Sequence, residues 1–288
     1  MPRVTIGLTV YNSERYLADA IESLLAQTFD DFELIITDNA SEDRTEEIAR
    51  SFAARDHRVQ YVRNRINIGV AGNFNQAFRL SSGEFFKWAA YDDLCAEDFL
   101  QRCVEALDGD PDIVLAYPRT VQIDENEKIT APSGPGPDLT SSDASDRFAR
   151  LMQSPFWATS LFGVVRSKAM AETRVLANNA ACDHVLLSEL VLRGRFCEIA
   201  TDGFFQRDHL AKRPHQASFV ASARFNDPNV FGNATYLRLR LIGQYLSAIN
   251  RAPLDSSERL RCYQSVGQWL GSRIITRTVG RTRSRSST

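Results

Sequence analysis

Four apolar runs near the start of the chain, Val4 to Val10, Phe32 to Thr37, Val59 to Val62 and Phe85 to Trp88, are separated by stretches whose apolar residues recur at helical spacing. The runs are rich in β-branched and aromatic residues, which predicts strands buried on both faces. Between the first two, Leu17, Ile21, Leu24 and Leu25 mark a helix, with Ser13 as its expected N-cap. Ile48, Ala49 and Phe52 mark a second helix with Ser41 at its cap, and Phe74, Ala77 and Phe78 mark a third. Strand–helix alternation of this kind predicts parallel βαβ units with right-handed crossovers. Such sheets take their ligands outside the carboxyl ends of the strands. The polar clusters of this chain fall at those ends: Thr9 to Tyr11, Asp38, Asn67 and Asp92-Asp93.

The rest of the sequence is less regular. Val114 to Tyr117, Thr120 to Asp124 and Leu161 to Val165 read as strands, and Cys197 to Phe205 as two short ones. Val185, Leu186, Leu190 and Val191 form a helical stripe, as do Leu237, Leu241, Tyr245 and Ile249. Pro132 to Ser145, rich in Pro, Gly and Ser, reads as a loop. The expected organisation is an α/β domain over residues 1–218, in halves 1–107 and 108–218, with a C-terminal helical extension and basic tail over 219–288.

Composition narrows the function. With 34 Lys and Arg against 36 Asp and Glu, the net charge of -2 gives no electrostatic case for nucleic acid as a partner. The five cysteines form no C-x-x-C pair and are odd in number, which argues against both a zinc site and a disulfide framework. No window reaches the ~18 apolar residues of a membrane span, and Met1-Pro2-Arg3 runs straight into a strand with no secretory leader. A cytoplasmic protein is expected, with peripheral contact on the inner face of the membrane through the tail, where Arg273, Arg277, Arg281, Arg283 and Arg285 accompany Ile274 and Ile275.

The segments VTIGLTVYNSERYLADAIESLLAQTF, FELIITDNASEDRT and NIGVAGNFNQAF, followed by the Asp92-Asp93 loop, stand in the order and spacing of the family 2 glycosyltransferases. The chain resembles that family strongly through about Leu107 and more weakly to about Ser218. The resemblance implies the GT-A fold, a Rossmann-like, mostly parallel sheet flanked by helices. It also implies an inverting enzyme that moves one sugar from a UDP- or TDP-sugar to a glycan or lipid-linked acceptor in surface polysaccharide biosynthesis.

By the same resemblance Thr9 and Tyr11 flank the base, and Asp38 accepts a hydrogen bond from the imide N–H of uracil or thymine. Asn67 belongs to the same nucleotide-binding set. Adjacent carboxylates at Asp92 and Asp93 repel each other unless a cation compensates, and carboxylate and phosphate oxygens suit Mg²⁺ or Mn²⁺. The resemblance assigns Asp92 to the ribose or donor sugar and Asp93 to the metal, with His209 as a further ligand and His215 as its competitor. Asp183, at the start of a helix, is the implied general base, with Glu189 and Asp208 as the next acids to consider.

Two positions depart from the family pattern: Ala90 and Cys182 stand where acids are common. They keep open a second reading, a GT-A-like protein that binds a nucleotide sugar without transferring it inside a polysaccharide assembly complex. Phosphate-loop, dinucleotide and nucleophile-elbow motifs are absent, as is the Q-x-x-R-W signature of processive synthases, Gln264 to Trp269 reading QSVGQW.

Overall fold

The computed structural model describes residues 1–154, 158–177, 181–209, 218–226 and 230–283, with side chains given as far as Gly271, that of Ala158 apart. His215 and the arginines of the tail fall outside the described side chains. The first half alternates as the apolar pattern dictates: β1 (Val4–Val10), α1 (Leu17–Leu25), β2 (Phe32–Asp38), α2 (Thr45–Ala53), β3 (Val59–Arg63), α3 (Val70–Leu80) and β4 (Phe85–Ala90). A two-residue strand β5 (Leu94–Cys95) and helix α4 (Phe99–Gly109) follow. Then come β6 (Ile113–Ile123), β7 (Ile129–Ala131), α5 (Ala144–Gln153), a 3-10 turn (Ala158–Phe162), β8 (Val164–Arg166), α6 (Ser167–Ala171), α7 (Cys182–Val191) and β9 (Arg195–Arg207). The chain closes with α8 (Phe219–Asn226), α9 (Ala234–Arg251) and α10 (Ser256–Arg283).

One sheet runs β3-β2-β1-β4-β8-β6-β9-β5, with β7 on β6. β3, β2, β1 and β4 are parallel, β8 is antiparallel to both β4 and β6, and β9 returns parallel to β6. Every residue of β1 is buried, as a central strand covered on both faces requires. α3 lies close on that strand: a Cβ built at Gly7 would stand 2.8 Å from the Cβ of Ala77 and 2.9 Å from the ring of Phe86. Phe85, Phe86 and Trp88 are sealed between the sheet and its helices, each worth about 1.5–3 kcal/mol of hydrophobic stabilisation.

The structure departs from the local expectations at five places. Ser13 does not cap α1; its hydroxyl takes the N–H of Tyr11, and its carbonyl starts the helical ladder by accepting from Leu17. Ser41 does not cap α2, because its hydroxyl is bonded to Asp38, while Asp43 accepts from the N–H of Thr45. The two strands expected over 114–124 are one, as are the two expected over 197–205, since β6 and β9 pair along their whole length through local register shifts. Leu161 and Phe162 form the end of a 3-10 turn and the strand starts only at Val164, where pairing with Lys87 and Ala116 begins.

The C-terminal helices join the main core. Leu241 and Tyr245 of α9 and Cys262 and Val266 of α10 pack in one cluster with Phe148 of α5 and Val185 and Leu186 of α7. No helix among the described residues is long and apolar enough to cross a membrane.

Candidate active site

Parallel pairing sets the first part of the site. Thr9 lies in register between Thr37 and Ala90, and Val10 opposite Asp38, so the ends of β1, β2 and β4 open at one edge. A hollow of about 680 Å³ lined by Pro2, Glu33, Arg58 and Gln60 lies at the amino ends instead, away from these side chains. Tyr11 projects 45% exposed just beyond β1, the posture of a ring available for stacking.

Asp38 is fully buried and both its oxygens are occupied. Oδ1 accepts from the N–H and hydroxyl of Ser41 at 2.9 and 2.6 Å; Oδ2 accepts from the Tyr61 hydroxyl at 2.6 Å and Arg63 Nη1 at 2.9 Å. Burial, and then the bond to Asp38, raise the Tyr61 phenol well above its ordinary value, so it stays protonated and donating. A carboxylate has room for about four such bonds. Direct acceptance of a base imide by Asp38 would therefore displace one of these donors; through Ser41 the carboxylate also anchors the loop after β2. Asn39 extends that anchor, donating to Asn67 Oδ1 at 2.8 Å and accepting from the N–H of Ile68 at 2.9 Å. Asn67 in turn accepts from the N–H of Gly69, which opens α3.

The acidic pair is built by a long-range register. β5, directly after Asp92-Asp93, pairs antiparallel with the end of β9, Leu94 opposite Phe205. That delivers Arg207 and His209 to the two carboxylates. Asp93 Oδ1 accepts from the Arg207 N–H at 3.0 Å, and His209 Nε2 is 2.8 Å from Asp92 Oδ2. Arg207 is itself 1% exposed; its guanidinium donates to the carbonyl of Asp92 and to Glu127 Oε1, both at 3.0 Å, and lies 4.7 Å from the centre of the Tyr16 ring. The guanidinium thus pairs with Glu127 and holds the acidic loop by its backbone, while Asp93 receives the Arg207 N–H. Neither Arg207 nor Tyr16 was singled out in the sequence, although Arg207 lies beside His209; only the β5–β9 register reveals the contact.

Tyr16 carries an orphan. Its hydroxyl is buried and finds no hydrogen-bond partner among the described residues, while its ring centre lies 5.3 Å from that of His209. A buried hydroxyl left unpaired is costly, and its place beside the acidic pair suits a ligand that brings acceptor oxygens. No cluster of three His, Cys, Asp or Glu donors is preformed among the described residues. Divalent ions such as Mn²⁺ and Mg²⁺ take oxygen ligands from protein carboxylates, phosphate and water. The oxygen and imidazole donors of Asp93 and His209 fit such an ion.

Asp183 stands on a different element. It lies in the first turn of α7, a helix in which every residue but Asp183 is buried. Its Oδ1 accepts from the N–H of His184 at 2.8 Å. Cys182, where an acid is common, is 5% exposed in the core, and burial pushes its thiol upward; a carboxylate there would be desolvated. Glu189 is closed off as well, 1% exposed and held by the Arg251 guanidinium and the N–H of Arg174. Three non-glycine residues with left-handed backbone border these loops: Asn12 at φ 49°, Ala40 at φ 66° and Ala181 at φ 58°. Strain of this kind persists where surrounding structure over-determines the backbone.

Comparison with known proteins accords with this architecture. Residues 5–172, more than half of the chain, match the model of glycosyl transferase family 2. An uncharacterized glycosyltransferase of Methanocaldococcus jannaschii is 31% identical over 130 residues, which are 44% of this chain and 45% of the relative; the match thus spans less than half of that protein. Among solved structures, S. aureus TarS 1-349 in complex with UDP-GlcNAc superposes with a TM-score of 0.66 at 15% identity, over 93% of this chain and 71% of that one. The mannosyltransferase PcManGT of Pyrobaculum calidifontis, in complex with GDP-Man and Mn²⁺, gives a TM-score of 0.58 at 15% identity, over 95% of this chain and 75% of that one.

Proposed function

This chain belongs to glycosyl transferase family 2, and from that premise we propose that it transfers a single sugar, with inversion, from a UDP- or TDP-sugar to a glycan or lipid-linked acceptor in surface polysaccharide biosynthesis. The observation that carries the reading is the convergence of Asp92, Asp93, Arg207 and His209 at the carboxyl ends of the strands. The nucleotide lies across the ends of β1 and β2, its base against Tyr11, on a loop anchored by Asp38 and Asn67. Asp92 faces the ribose or donor sugar. Asp93 and His209 would hold a divalent ion, Mn²⁺ or Mg²⁺, which would supply Lewis-acid stabilisation of the charge on the departing diphosphate. Asp183 takes the proton from the acceptor hydroxyl as its oxygen bonds to the anomeric carbon; the bond from that carbon to the diphosphate breaks, and the nucleoside diphosphate leaves.

The solved relatives support a nucleotide-sugar donor, TarS carrying UDP-GlcNAc and PcManGT carrying GDP-Man with Mn²⁺. The test is a thermal-shift screen with UDP, TDP and GDP, each with and without Mn²⁺, followed by donor turnover with the product read by NMR. Stabilisation by UDP or TDP that needs Mn²⁺, and a product inverted at the anomeric carbon, are expected. Binding without turnover of any donor would overturn transfer in favour of a nucleotide-sugar-binding partner protein.

A further inference from the structure

We infer that the outward face of α9, together with Phe231, is a docking surface for an anionic lipid bilayer. α9 is apolar on two sides. Leu237, Leu241, Tyr245, Ala248 and Ile249 are buried on the inner one. On the other, Tyr236, Leu239 and Leu246 are 54%, 64% and 37% exposed and recur at helical spacing. Gly243 falls between them, and a Cβ built there would meet nothing within 4 Å, so this face is open.

The turn before the helix adds the largest exposed ring. Phe231 is 84% exposed, while its neighbour Val230 is buried. Gly232 has φ +115°, and a Cβ there would stand 2.3 Å from the Tyr236 ring, so the turn is packed against α9 and admits only glycine. The fold holds Phe231 outward beside the stripe.

Charge selects the occupant. From residue 219 onward the sequence has eleven arginines against three acids, Asp227, Asp255 and Glu258, and only Arg251 and Arg261 among the described pairs are matched by acids from before that point, so an excess remains although the whole chain is at -2. Arg240 is exposed at the edge of the stripe. A convex helical face of Leu, Tyr and Phe with arginine at its border, in a segment of strong positive excess, has the chemistry of a helix lying in the headgroup layer of an anionic leaflet. The inner face of the same helix holds α7, the Tyr245 hydroxyl lying 2.9 Å from Nδ1 of His184. Docking therefore fixes the helix that carries Asp183 relative to the bilayer. Its use in presenting a lipid-linked acceptor rests on the proposed transfer; the docking itself does not.

The experiment is co-sedimentation of the full chain with vesicles of phosphatidylcholine alone and of phosphatidylcholine mixed with phosphatidylglycerol. Salt-sensitive binding to the mixed vesicles is expected, weakened by Arg240→Glu and reduced at least about tenfold by Phe231→Ser with Leu239→Ser. Both changed side chains are exposed, and an unaltered melting temperature checks that the fold survives. Failure of the parent to bind mixed vesicles overturns the inference. So does a double variant that binds like the parent while Arg281→Ser with Arg283→Ser and Arg285→Ser abolishes binding, which assigns the contact to the tail. A double variant that changes the oligomeric state in light scattering and leaves vesicle binding intact also overturns it, assigning the face to a second copy. Absence of UDP binding would count against the proposed transfer and leave the vesicle result standing.

Discussion

Nε2 of His209 lies 2.8 Å from Oδ2 of Asp92, across 117 positions of sequence, with the two residues 6% and 2% exposed. The contact exists only when the end of β9 is in register beside β5, so it reports on the assembly of the site as a whole. His209→Ala is expected to lower the melting temperature and to weaken Mn²⁺-dependent UDP binding, both read in one thermal-shift series. A variant that matched the parent in both would remove His209 from the site.

Asp93→Asn keeps an oxygen for the Arg207 N–H but loses the charge. UDP binding in calorimetry should then become insensitive to Mn²⁺, with little change in stability. Undiminished metal dependence would mean that Asp93 is not the ligand.

Asp183→Asn preserves size and polarity and cannot take a proton. Transfer should fall by at least about a hundredfold, while UDP and Mn²⁺ bind as in the parent. Parental turnover would send the search for a base to Asp208, because Glu189 is engaged by Arg251 in the core.

Asp38→Asn puts an amide among the donors of Ser41, Tyr61 and Arg63. The free protein should lose about 1–3 kcal/mol of stability in a denaturant titration, and UDP affinity should fall with it. A loss of affinity at unchanged stability would point instead to a direct contact with the base.

Asp143 caps α5 through the N–H groups of Ser145 and Asp146 and pairs with Arg261 of α10 at 2.8 Å. The Ser145 hydroxyl, then the backbone N–H groups and Arg261, hold its carboxyl below the usual value of 3.8. A folded-state value below the unfolded one stabilises the protein above the unfolded value, and that stabilisation is lost as pH falls through the folded value. Asp143→Ala should cost about 1 kcal/mol at neutral pH. The gap between variant and parent should narrow below about pH 4; a constant gap down to pH 2 would contradict the assignment.

The sheet was legible because the first four strands are continuous apolar runs buried on both faces, and the helices between them have one clean stripe each. Asp92-Asp93 stood out in the sequence as two like charges after a buried strand. Their contacts with Arg207 and His209 did not, because these arrive through an antiparallel register that no local pattern encodes. The partners of Asp38 were hidden for a related reason: Tyr61 and Arg63 come from the next strand, and the parallel pairing of β2 with β3 brings them to its oxygens. The caps of α1 and α2 were misplaced by competition, since Ser13 and Ser41 spend their hydroxyls on the loops of the site.

Asp183 falls beyond residues 5–172, the stretch that matches the family model. Its helix is fastened from further downstream, by Tyr245 to His184 and by Arg251 to Glu189. The stretch that matches the family and the helix of Asp183 are thus different parts of the chain, tied together by the cluster that α7 shares with Trp88, Leu115 and Phe148. A break between α7 and α9 would part the helix of Asp183 from Tyr245 and Arg251, and one near Glu172 would cut the same helix from Trp88, Leu115 and Phe148, so neither stretch stands without the other.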